Sequence, residues 1–88
     1  MKQSDAHFEK QLKLIGRALK ELRIKNGWTS YEIKNGWTSY ETFAVENDID
    51  RKQYWRMEAG TNITLKTLLK VLSVHKLTLK QFFNDNKV

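Results

Sequence analysis

The sequence predicts an all-α fold of five helices in one domain, residues 1–88. Three observations predict it. Apolar residues recur at spacings of three and four, and no segment sustains the period-two alternation of a strand. Helix-start signatures of the capping-box type recur along the chain. Pro is absent and Gly is scarce, so long stretches lack a helix breaker.

The first helix is predicted over about 5–26. Phe8, Leu12, Ile15, Leu19 and Leu22 form one apolar stripe, with Lys10, Lys13, Arg17, Lys20 and Arg23 off it. Ser4 or Asp5 can cap its start. The second, over 39–46, opens on Thr38-x-x-Glu41 and stops at Asn47-Asp48. The third, over 51–58, opens on Asp50-x-x-Gln53 and ends at Gly60, which suits a left-handed residue past a helix C-terminus. Thr64 is an N-cap for the fourth, 65–74. Thr78-x-x-Gln81 opens the fifth, 79–84.

Bulk composition narrows the function classes. Eighty-eight residues make one small core and no more. With no Cys there is no disulfide, thiolate metal site or cysteine nucleophile. This suits a cytoplasmic location without proving one. The start MKQSDAHFEK lacks the apolar region of a signal peptide, and no apolar run is long enough to span a bilayer. Sixteen Lys and Arg against ten Asp and Glu leave a net charge of +6, which favours a polyanionic partner. His7 and His75 have no second ligand at metal spacing, so no metal and no cofactor is expected. No catalytic constellation is present, and the chain is not expected to be an enzyme.

Thr38 to Gly60, TSYETFAVENDIDRKQYWRMEAG, carries the functional expectation. Phe43-Ala44 sits on one short helix, with Ala44 small where two helices approach. Ile49 is an apolar plug in a polar turn. Tyr54 and Met57, three apart, face inward on the next helix. These are the needs of a helix-turn-helix. Arg51, Lys52, Gln53 and Arg56 remain on the outer face, and the first three sit in the first turn, the end of a recognition helix that reaches base edges in a major groove. Arg and Lys can donate to guanine, and Gln can pair with adenine.

Over about 15–83 the chain resembles the phage-repressor-like helix-turn-helix regulators of the lambda repressor and Cro type. The matching residues are Gly16, Leu19, Leu22 and Arg23, then Gly36-Trp37-Thr38. Phe43-Ala44, Ile49, Arg51, Arg56, Glu58 and Gly60 follow, and Leu65, Leu68, Leu69, Leu72, Leu77 and Phe82-Phe83 complete the match. The resemblance implies a five-helix domain that binds double-stranded operator DNA, commonly as a homodimer, and regulates transcription. It assigns base contacts to Arg51, Lys52, Gln53 and Arg56, with backbone contacts from Ser39, Tyr40 and Asn62. Three positions depart from the family pattern. Ser39 stands where Gln is common, Asp48 replaces a turn Gly, and Trp55 replaces a small polar residue. Trp55 is expected to pack on the fourth helix; contact with a thymine methyl and burial in a dimer are the alternatives. Glu58 with Arg23 is expected to form a structural salt bridge, worth little if exposed.

One feature is foreign to that family. IKNGWTSYE occurs twice without a mismatch, as 24–32 and 33–41. A continuous helix through both copies would put the two Ile-Trp-Tyr faces about half a turn apart, beyond what one core can bury. Two solutions remain. One copy is extruded, or the first helix extends through the first copy and packs on another chain as a domain-swapped dimer. Extrusion is the favoured expectation. A second reading therefore takes the chain as a protein-interaction or engineered duplication variant of such a domain, with DNA binding weakened or absent.

Overall fold

A computed structural model describes residues 5–28, 38–61 and 63–86. Among the described residues there are five α-helices and no strand: α1 (Asp5–Lys25), α2 (Ser39–Glu46), α3 (Arg51–Glu58), α4 (Leu65–Val74) and α5 (Leu79–Asn86). α1 stops one residue short of the expected end, and α5 runs two residues past it. No described helix is long and apolar enough to cross a membrane.

Local side-chain chemistry sets the helix starts. The Thr38 N–H donates to the Glu41 carboxylate at 3.1 Å, ahead of α2. Asp50 accepts the Gln53 N–H at 2.9 Å, opening α3. Thr64 accepts the Thr67 N–H at 3.3 Å, opening α4. Thr78 and Gln81 satisfy each other reciprocally, at 2.9 and 3.1 Å, before α5. Each cap supplies an acceptor to an N–H that the helix itself leaves unpaired. The Asp50 box is only half of the expected one. The Gln53 side chain turns instead to Thr67, whose hydroxyl donates to it at 3.4 Å.

α3 lies at the centre, packed against α1, α2 and α4, and α5 closes on α4. The buried core runs through all five helices, with Leu19, Phe43, Tyr54, Val71 and Phe82 each fully enclosed. Phe43, Ala44, Ile49, Tyr54 and Met57 are all buried. The apolar stripe of α1 is only partly used. Ile15, Ala18, Leu19 and Leu22 meet the core, whereas Phe8 is 48 % exposed. The first turns of α1 outrun the layer on which the helix packs.

Two glycines and one aspartate shape the approach of α1 and α2 to α3. Gly16 faces the end of α3 so closely that a Cβ there would sit 2.5 Å from the Met57 carbonyl oxygen. Gly60, at φ 79°, turns the chain after α3 and lies against the Lys13 backbone. Asp48 takes φ 59° in the turn between α2 and α3, the left-handed conformation that Gly supplies more cheaply.

Both copies of the nonapeptide contribute described residues. α1 ends at Lys25, and Gly27 at φ 93° turns the chain, so α1 itself stops near the start of the first copy. Trp28, from the first copy, sets its ring edge against Phe43 at 5.5 Å. Thr38 to Glu41, from the second copy, open α2. Among the described residues, IKNGW belongs to the first copy and TSYE to the second. Residues 29–37 lie outside the described residues.

Candidate nucleic-acid interface

α2 and α3 are joined by the short turn 47–50. Its geometry is held by backbone bonds from the Asn47, Asp48 and Ile49 N–H groups to carbonyls of α2, at 2.8 to 3.2 Å. Asp50 then caps α3. Because Tyr54 and Met57 are buried, the direction of the helix about its own axis is fixed. At about 100° per residue, Lys52 and Arg56 fall at the middle of the outward face. Arg51 and Trp55 lie on the flank toward α2, and Gln53 lies on the flank toward α4. Arg51, Lys52, Gln53, Trp55 and Arg56 are all exposed.

All of these but Gln53 line an open cleft. It has a volume of about 430 Å³ and is bounded by Tyr40, Glu41, Arg51, Lys52, Trp55 and Arg56. Arg51 Nη1 lies 3.3 Å from Glu41 Oε2. Glu41 therefore works twice, as the cap of α2 and as a partner of Arg51. The Thr38 backbone N–H, with lesser help from its hydroxyl and from Arg51, holds the Glu41 carboxyl below its ordinary range. No described carboxylate pairs with Lys52 or Arg56. A second cleft continues past Trp55 along α1, where Lys20 adds a further cation. On the other flank, Gln53 borders a third, with Lys66 and Lys70 of α4. Cations therefore flank α3 on both sides.

The residues expected to touch DNA divide as follows. Arg51, Lys52, Gln53 and Arg56 are exposed, but only Arg51, Lys52 and Arg56 come together at one cleft; Gln53 lies on the opposite flank of α3, toward α4. Tyr40 is half-buried at the edge of the same cleft. Ser39 does not join them. It is buried, and its hydroxyl accepts from Arg23 Nη1 at 2.5 Å. The first residue of α2 is drawn inward because a buried guanidinium needs an acceptor there. Asn62 lies outside the described residues. Trp55 is a correction of another kind. It does not pack on α4: it is 52 % exposed and borders clefts formed with α1 and α2.

Sequence reasoning undervalued Arg23. Its guanidinium bonds Glu58 through Nε at 2.6 Å and Nη2 at 3.0 Å, and donates to the Trp28 carbonyl at 2.6 Å as well as to Ser39. The side chains of Arg23 and Glu58 are only 5 % and 10 % exposed. The pair was expected, but its enclosure and its two further acceptors were not. The surrounding core also acts on Tyr54: burial first, then the nearby Glu58 carboxylate, pushes its phenol well above the ordinary range.

Comparison with known proteins gives no match: no family model, no curated protein and no solved structure matches the chain. What stands is the class that the geometry defines: among the described residues, an all-α globule of five helices with cations exposed on its central helix.

Proposed function

We propose that the chain is a sequence-specific, double-stranded DNA-binding regulator of the helix-turn-helix type. In this reading α2 and α3 form the motif, and α3 enters the major groove. The observation that carries it is the division of α3. Tyr54 and Met57 are buried, while Arg51, Lys52, Gln53 and Arg56 are exposed together at and beyond its capped N-terminus. A helix held by a buried aromatic presents its first turn outward as a rigid unit, which is what base readout requires. The resemblance to phage-repressor-like regulators supports the same reading, and so does the net charge of +6. A homodimer, acting in the cytoplasm without a cofactor, completes the proposal. Two copies of α3 would then meet half-sites about one helical turn, ~34 Å, apart.

The chemistry is charge and shape, not reaction. Lys52 and Arg56 are the cations best placed for phosphates or guanine edges. Arg51, exposed beside Glu41, can also offer its guanidinium to guanine or phosphate. Backbone N–H groups at the start of α3 can also receive a phosphate.

The test is binding to a randomised duplex pool, followed by titration of the selected site against salt. Affinity should fall steeply, with a log–log slope of about −0.9 per phosphate neutralised. Replacing Arg51, Lys52 and Gln53 together by Ala should abolish site preference. Circular dichroism should stay unchanged, because all three side chains are exposed. Unaltered affinity in that variant would sink the reading.

A further inference from the structure

We propose that Trp55 is a specificity-determining residue that fixes a thymine in the DNA site, through apolar contact of its indole with the thymine C5-methyl group. The inference rests on α3 as the groove-entering helix, and it goes beyond that reading by naming a base that the site must contain.

Three observations lead to it. Trp55 is 52 % exposed, although it sits on the helix whose other aromatic, Tyr54, is fully buried. It stands four residues, about one turn, from Arg51, so it projects on the same flank of α3. That flank is bordered by the Arg51, Lys52 and Arg56 cleft on one side and by the cleft carrying Lys20 on the other. A large apolar group has thus been set among cations on a surface that would face a polyanion.

Packing on α4 does not account for the position, and about half of the residue stays exposed beside α1 and α2. No residue of α4 borders either cleft that Trp55 lines, and Gln53 occupies the flank of α3 that faces α4. The major groove supplies a matching partner. Its edge pattern is polar except for one group, the thymine C5-methyl. The cations around Trp55 would draw the duplex in, and the indole would then meet the one base that offers apolar surface. Direct polar readout is left to Arg51, Lys52 and Gln53. The indole N–H remains a donor and can reach a phosphate without competing with the ring face.

Deoxyuridine scanning tests this directly. The site selected by the wild-type chain is remade with each thymine replaced in turn by deoxyuridine, which removes the methyl and nothing else. At one thymine position per half-site, affinity should fall about fourfold, the factor that burial of one methylene-sized group carries. Trp55→Ala should bind the parent site more weakly and show no further loss at that position. Trp55→Phe should keep part of the sensitivity. Uniform tolerance of deoxyuridine by the wild type would overturn the thymine contact while leaving DNA binding intact. An equal deoxyuridine penalty in Trp55→Ala would do the same. Failure of the wild type to bind any duplex would remove both readings. Loss of self-association on Trp55→Ala, seen by sedimentation without DNA and with no thymine position affected, would assign the indole to a protein contact and overturn the proposal.

Discussion

Arg23, near the end of α1, and Glu58, the last residue of α3, form a two-bond ion pair that is almost fully enclosed: Nε to Oε2 at 2.6 Å, and Nη2 to Oε1 at 3.0 Å. The same guanidinium takes the Trp28 carbonyl and the Ser39 hydroxyl. One side chain therefore ties together both helices, the turn after α1 and the first residue of α2. Breaking a buried pair leaves a charge without its partner, which costs far more than the pair contributes at a surface. Glu58→Ala should lower the unfolding free energy by about 3–5 kcal/mol in urea titration. A loss below about 1 kcal/mol would mean that the pair behaves as a surface bridge.

Gly16 invites the opposite of the usual helix rule. In an open helix, Gly→Ala gains up to about 1 kcal/mol. Here the new Cβ would meet the Met57 and Glu58 carbonyl oxygens at 2.5 and 2.6 Å, and both are backbone atoms with little room to yield. α1 would be forced away from α3. Gly16→Ala should destabilise the fold by about 1–3 kcal/mol, as overpacking does, and lower the thermal midpoint accordingly. A stabilised variant would show that α1 and α3 are less closely seated.

The contrast between these two sites shows what the sequence could carry. Caps are local: a Thr or Asp three residues ahead of a Gln or Glu marks the starts at Ser39, Arg51 and Leu79, a lone Thr64 marks that at Leu65, and all four match. The inward pair Tyr54 and Met57 was legible for the same reason, as spacing alone defines a face. Trp55 was not legible. It lies at the border between the buried and exposed faces of α3, and only the positions of α2 and α4 decide its side. The closeness at Gly16 depends on α3 arriving there, which no local pattern encodes. Phe8 misled because the stripe on α1 continues past the end of its partner layer. Among the site residues, Ser39 was misplaced because its environment is set by Arg23, sixteen positions away.

His75 should make stability depend on pH. Its ring stacks on Phe43 at 5.4 Å with planes 8° apart. Asn26 Nδ2 lies 3.3 Å from its Nδ1, and since an amide nitrogen only donates, the ring nitrogen must accept. Burial lowers its pKa below the ordinary 6.5. Above about pH 7 the ring is neutral in both folded and unfolded chains, and it contributes no slope. As pH falls below 6.5, the unfolded chain takes up the proton first, so stability falls until the folded-state pKa is passed. Urea titrations between about pH 7.5 and 5 should show this loss, and His75→Phe should flatten it. An equal slope in the variant would place the proton uptake elsewhere.

The last prediction concerns the doubled nonapeptide. Both flanks of residues 29–37 are held by one group: Arg23 Nη1 takes the Trp28 carbonyl at 2.6 Å and the Ser39 hydroxyl at 2.5 Å. Trp28 also packs on Phe43 of α2 in the same chain. Arg23 therefore brings together Trp28 and Ser39, one on each side of the nine residues. Deleting 29–37 restores a single IKNGWTSYE and leaves every one of these partners in place. The identity of the two copies makes this the same protein as one lacking 24–32 or 33–41. Closing a loop costs only about 0.6 kcal/mol per doubling of its length, so the shortened chain should match the full one within about 1 kcal/mol, with the difference in its favour. The Arg23 and Glu58 pair should remain as sensitive to substitution as before. Sedimentation should give both chains the same oligomeric state. A dimer present only with both copies would show that the second copy works between chains, and a marked loss of stability on deletion would show that 29–37 supports the domain it interrupts.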